Sequence, residues 1–195
     1  MSRIREVILG QLKFLEENEV ERLLGVPSLR SLTGLRNRCI LQLQAETGAR
    51  ISEVLDLHVR DLVLAEKQMT IRLGKGGVTR VVYWHSDELT MLIEKWKQRR
   101  PESEYLFPTI RSSGGKGTRI EPRTYRYQFD RYVEKAGLPG WVTSHTLRHS
   151  FATNFLKRGG NIKTLQTILG HKSLAVTEKY LHITDEDVRK AMRGY

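Results

Sequence analysis

A single cysteine, Cys39, in 195 residues leaves no internal disulfide and no multi-cysteine zinc site. It lies in the apolar run Cys39-Ile40-Leu41-Gln42-Leu43, where a free cysteine packs as a small hydrophobe. A lone thiol suits a reducing, cytoplasmic setting. No apolar run approaches the roughly 20 residues that span a bilayer, and Met1-Ser2-Arg3-Ile4-Arg5-Glu6 carries no secretory apolar stretch. Internal repeats, low-complexity tracts and clear linkers are missing as well. Several catalytic signatures are also lacking. The six histidines form no His-Glu-x-x-His zinc pattern, and no Gly-x-Ser-x-Gly elbow offers a serine nucleophile. Gly74-Lys75-Gly76-Gly77 lacks the spacing of a nucleotide-binding loop, and no helix is expected after it. Asp185, Glu186 and Asp187 read as the acidic first turn of a final helix rather than a metal pair.

Acid is scarce too: 22 Asp and Glu face 33 Lys and Arg, a formal net charge of +11. Such an excess favours a polyanionic partner, nucleic acid or anionic lipid. The basic residues are scattered and no long basic amphipathic helix stands out, which favours nucleic acid. With 39% hydrophobic and 28% charged residues the chain is globular in composition, and its length suits one domain with a full core.

Periodicity predicts mostly helices. One is expected over 17–24, closed by Gly25 and Pro27. A stronger one over 35–45 follows, with Leu35, Cys39, Ile40 and Leu43 at helical spacing and Thr47-Gly48 after it. The next starts near Arg50, with Ile51, Val54 and Leu55 on its buried side. Strands are expected over 69–73 and 78–84, joined by the glycine-rich turn at 74–77, with 62–64 as a third strand. Helices follow over 86–98 and 122–136, separated by a Gly- and Ser-rich mobile loop at 109–119. Further helices are expected over 145–157, 161–169, 174–180 and 185–192, with Leu147, Phe151 and Phe155 as a core stripe on the first. The fold class is α+β, mostly α, with a small three-stranded antiparallel sheet.

The chemistry-bearing residues stand out as a set. His145 and Arg148 are three apart, so on a helix they share a face. Arg148 offers a planar fork suited to two phosphate oxygens, and Arg50 sits at a helix–helix junction, where a long side chain projects from a rigid base. Lys75 occupies the hairpin tip, and His171 follows Leu169-Gly170. Taken singly each has a plain explanation: a solvated arginine, a hairpin lysine, a capping histidine. Tyr180 is one of seven tyrosines. An unperturbed phenol titrates near 10, leaving only about one part in a thousand ionised at pH 7. Nearby cations would lower that cost, and their clustering in one chain lifts Tyr180 above the other tyrosines. Five basic side chains around one phosphate, with Tyr180 as attacking group, is the chemistry this set can perform.

In this order the motifs are specific. The sequence resembles the catalytic domain of the tyrosine recombinases, the phage integrase family, through Thr47-Gly48-Ala49-Arg50-Ile51-Ser52-Glu53, Gly74-Lys75-Gly76, His145-Thr146-Leu147-Arg148-His149, Leu169-Gly170-His171 and Tyr180. The resemblance runs from about residue 18 to 182, which implies an N-terminal extension over 1–17 and a catalytic domain over 18–195 ending in a short C-terminal helix. Many members carry a further N-terminal helical domain, so this chain is either a short member or a domain cut from a longer one.

The resemblance implies the roles. Arg50 and Arg148 would neutralise the scissile phosphate, and His145 and His171 would help hold it. Lys75 would protonate the departing 5′ oxygen, and Tyr180 would attack, giving a 3′-phosphotyrosyl linkage without a cofactor or required metal. Glu53 would anchor Arg50. Apart from the resemblance, Arg80, Arg119, Arg123 and Lys172 are expected to touch the DNA backbone. The implied partner is double-stranded DNA, bound by a homo-tetramer on paired sites in the prokaryotic cytoplasm and nucleoid, with accessory DNA-bending proteins and no membrane. Two rivals stand beside a recombinase that integrates, excises, inverts or resolves: a type IB topoisomerase relaxing supercoils, and a DNA-binding regulator without catalysis.

Overall fold

A computed structural model describes residues 13–72, 79–111, 113–170 and 177. Among these residues it is mostly helical, with seven α-helices and one three-stranded antiparallel sheet. Helix α1 (Glu17–Leu24) leads to the long α2 (Leu32–Thr47) and the short α3 (Ile51–Leu55). The sheet follows as β1 (Leu62–Val63), β2 (Gln68–Ile71) and β3 (Arg80–Tyr83), in spatial order β1-β2-β3. Then come α4 (Asp87–Arg99), α5 (Pro122–Lys135), α6 (Ser144–Lys157) and α7 (Ile162–Leu169). The hairpin turn expected at 74–77, the helix expected over 185–192, all of the one expected over 174–180 but Thr177, and residues Lys75, His171, Lys172 and Tyr180 lie outside the described residues.

Helix α2 is the axis of the molecule and is longer than its apolar spacing predicts. Ser31 caps it, its side chain accepting from the Gly34 N–H at 3.0 Å. Burial then runs almost all round it. Leu35, Cys39, Ile40, Leu41 and Leu43 are fully buried, and so are the polar Asn37 and Gln44. A helix enclosed on all sides has no polar face, so spacing alone understates its length.

Its end is set by Gly48, which adopts φ 64°, ψ 13°, and whose N–H returns to Gln44 O. A Cβ there would stand 2.4 Å from Phe151 Cδ1 and 2.8 Å from Leu169 Cδ2. Only glycine satisfies both the left-handed backbone and the approach of α6 and α7.

On α6 the expected stripe is only partly a core stripe. Leu147 is fully buried, but Phe151 and Phe155 are half-buried and stack on each other with ring centroids 6.0 Å apart. Helix α6 buries two sides: Leu147 faces the main core, while Ala152 and Leu156 lie about 140° and 180° round the helix from it. Ala152 and Leu156 take the buried positions instead, joining Leu165 and Leu169 of α7 in a second small cluster.

In the sheet, Met69 faces Val82 and Ile71 faces Arg80. Strand β3 alternates strictly, with Arg80 and Val82 buried and Val81 and Tyr83 exposed. The loop at 109–119 is closed at its neck, where Thr109 N donates to Thr118 O at 2.8 Å and Thr118 N donates to Thr109 Oγ1 at 3.0 Å. Ahead of α1, Leu15 is fully buried and its N–H donates to Ser150 Oγ at 2.7 Å.

Candidate active site

The site is a meeting of helix ends. Arg50 stands just outside the first turn of α3, in extended backbone (φ −68°, ψ 147°), two residues past the left-handed Gly48. Its side chain is 37% exposed, so the guanidinium is held yet reachable. Among the described residues two contacts hold it, both to Glu53 one turn on. The Arg50 N–H donates to Glu53 Oε2 at 2.8 Å, and Nη1 donates to Oε1 at 3.0 Å. An acidic group in the first turn of a helix also meets its positive end.

Glu53 is the buried centre of this arrangement, its side chain only 4% exposed. Besides Arg50 it receives both prongs of Arg80, Nη1 to Oε1 at 3.0 Å and Nη2 to Oε2 at 2.8 Å. Burial alone would push the Glu53 carboxyl up. The hydrogen bonds from Arg80 and the Arg50 N–H, with the charge of Arg80, outweigh it and hold the carboxyl below the usual carboxylate range.

Arg148 is buried on the second turn of α6. Its Nη1 donates to Gly48 O at 2.8 Å and its Nη2 to Leu169 O at 2.7 Å. Both acceptors lie at helix C-termini, where unpaired carbonyls carry partial negative charge. One arginine thereby ties the end of α2 to the end of α7. His145, one turn before Arg148 on the same helix, is exposed. The structure therefore brings Arg50, Glu53 and Arg148 around the Gly48 junction, with His145 on the helix that carries Arg148.

Arg80, expected on the DNA backbone, is placed elsewhere. It is 8% exposed, and each of its three guanidinium nitrogens donates to a protein oxygen, Nε reaching Ile168 O at 2.8 Å. A signal for this was present in Arg80-Val81-Val82-Tyr83-Trp84: period-two alternation puts Arg80 on the face of Val82 and Trp84, both buried. Arg119 is on the surface but paired, its Nε to Asp56 and Nη1 to Glu121 at 3.2 Å. The hydrogen bond to Asp56 raises its pKa further. Arg123 is exposed at the start of α5. Among the described residues no three His, Cys, Asp or Glu side chains gather as a metal site, and no helix is long and apolar enough to cross a membrane.

The model of the phage integrase family matches residues 13–187. The chain belongs to the phage integrase family. It is 35% identical over 176 residues to tyrosine recombinase XerC of Chlamydia trachomatis serovar L2, covering 85% of this chain and 52% of that one. It is likewise 35% identical over 181 residues to tyrosine recombinase XerA of Pyrococcus horikoshii, covering 92% of this chain and 60% of that one. The fold matches a crystal structure of XerA recombinase with a TM-score of 0.77 at 30% identity, over 93% of this chain and 64% of that one. It also matches XerH site-specific recombinase bound to a palindromic difH substrate in a post-cleavage complex, with a TM-score of 0.77 at 27% identity, over 93% and 52%. The chain thus spans about half to two thirds of the length of these relatives.

Proposed function

We propose that this chain is the catalytic part of a site-specific recombinase that cuts and rejoins DNA through a covalent phosphotyrosyl intermediate. The observation that carries the reading is the Gly48 junction. There Arg50 and Arg148, nearly a hundred residues apart in sequence, are fixed to one another's surroundings through Gly48 O and Glu53. Two held guanidinium groups suit the non-bridging oxygens of a phosphodiester and stabilise the charge that develops on it.

In this reading Tyr180 Oη attacks the phosphorus. The bond to the 5′ oxygen breaks, and Lys75 gives that oxygen a proton. His145 and His171 hold the phosphate, and His145 exchanges a proton with the phenol in this scheme. The product is a 3′-phosphotyrosyl linkage and a free 5′ hydroxyl. Attack by a 5′ hydroxyl from another strand reverses the step, so rejoining needs no nucleotide. Members of a homo-tetramer on paired sites would supply the strands, with DNA-bending proteins assisting, in the prokaryotic cytoplasm. The exposed Arg123 and the partly exposed Arg119, with Lys172, would contact the DNA backbone.

A nicked suicide substrate tests this directly, because loss of the short fragment traps the covalent step. The chain should form a protein–DNA adduct on its own site, mapping to Tyr180, and Tyr180→Phe should bind the DNA yet form none. An adduct of undiminished yield in Tyr180→Phe removes that residue from the nucleophile's role.

A further inference from the structure

Arg80 is a basic residue for which the cleavage chemistry has no direct use. It also joins three separate parts of the site: β3, the Glu53 carboxylate and the last turn of α7. From β3 its Nη1 and Nη2 fork onto the Glu53 carboxylate at 3.0 and 2.8 Å, and its Nε donates to Ile168 O at 2.8 Å. Glu53 holds Arg50 by its N–H and by Nη1. Ile168 is in the last turn of α7, and Arg148 takes the next carbonyl, Leu169 O. The turn itself is shaped to the guanidinium. Gly170 has φ 65°, and a Cβ on it would stand 2.9 Å from Arg80 Nη1 and 3.0 Å from Cζ. Arg80 lies against bare backbone immediately before His171.

A buried ion pair is weak evidence for stability, since apolar replacements of similar volume are often neutral. Its geometry is more informative. A two-pronged arginine–carboxylate contact fixes direction as well as distance, and here it orients a carboxylate that orients a second arginine. We propose that Arg80 is a positioning residue for strand cleavage, holding Arg50 through Glu53 and setting it against the end of α7. The proposal rests on the DNA-cleaving function set out above.

The test compares wild type, Arg80→Met, Arg80→Lys, Glu53→Gln and the Glu53→Gln/Arg80→Met double variant. Thermal unfolding establishes that each is folded, and the double variant leaves no unpaired buried carboxylate. Single-turnover adduct formation on the suicide substrate is followed from pH 5 to 9, beside DNA affinity. Arg80→Met should slow the adduct by about a hundredfold, the scale of a small misplacement of a catalytic group. Affinity should stay within about threefold, since Arg80 is no backbone contact.

Glu53 is faced by Arg50 and Arg80, and losing the latter lets burial push its carboxyl up. Arg80→Met should therefore lose activity towards acid more steeply than wild type does, and Glu53→Gln should remove that added loss. In the Glu53→Gln background, Arg80→Met should slow the adduct little further. Arg80→Lys, with the charge but no fork, should fall between.

Cleavage by Arg80→Met within about threefold of wild type, full recovery in Arg80→Lys, or multiplicative losses in the double variant would each overturn the proposal. No adduct from wild type would instead overturn the cleavage reading. The hold of Arg80 on Glu53 is then read by carbon-13 titration of the Glu53 carboxyl, which should move up in Arg80→Met. An unmoved titration overturns the coupling whatever the activity.

Discussion

Replacing Gly48 by alanine adds one methyl group at the point where three helices meet, and its cost can be worked out in two parts. The backbone part comes from φ 64°. An L-residue held in the left-handed region costs about 1–2 kcal/mol. The packing part comes from a Cβ 2.4 Å from Phe151 Cδ1 and 2.8 Å from Leu169 Cδ2. Overpacking of this kind costs about 1–3 kcal/mol. Together they amount to about 2–5 kcal/mol. At about 2–4 °C per kcal/mol for a chain of this size, Tm should fall by about 4–20 °C.

Thermal unfolding followed by circular dichroism measures the fall, and two further variants separate the parts. Gly48→Asn tolerates the backbone better but keeps the Cβ, so it should recover only the first part. Adding Phe151→Ala to Gly48→Ala removes the nearest obstacle and should show a favourable coupling of about 1–3 kcal/mol. Gly48 O is also an acceptor of Arg148, so adduct formation should fall with the fold intact at low temperature. A Gly48→Ala protein melting within about 2 °C of wild type would refute the packing argument.

The Glu53 carboxyl titrates lower in the folded chain than its ordinary value. Its stabilising contribution is therefore complete above about pH 4.3, the unfolded value, and drains away as pH falls through the folded one. Denaturant titrations at pH 3–5 should show a shallower acid loss in Glu53→Gln than in wild type, and equal slopes would contradict this. Burial pushes the Cys39 thiol up to about 12, so at pH 8 a thiol reagent should label the native chain only as fast as it opens; rapid stoichiometric labelling would show the core is not closed there. DNA affinity should fall linearly on a log–log salt plot, with a slope of about −0.9 per phosphate neutralised. A flat plot would remove the argument from charge.

Helix positions were legible where one face is polar. Residues 17–24 and 122–136 read directly as α1 and, to within a residue, α5, because apolar spacing and end signals agree. The ends of α2 were less legible because it is enclosed, and Phe151 and Phe155 misled because α6 buries one side in the main core and another in a second cluster. Of the site, Arg50, His145 and Arg148 were legible as residue types in a telling order. The partners of Arg148 were not, since backbone carbonyls leave no mark in a sequence. Arg80 was misplaced for a related reason: on charge alone a buried and a solvated arginine look alike, and only strand alternation separates them.

The carbonyls gripped by Arg148 bear on what happens when a substrate arrives. A long flexible side chain ordinarily gives up rotamer freedom on binding, about 0.5–1.5 kcal/mol for each one immobilised. Gly48 O and Leu169 O have already removed that freedom from Arg148 during folding. In the proposed reaction an incoming phosphate would meet a cation ordered in advance, and less of the attraction between them would be spent on immobilising the side chain.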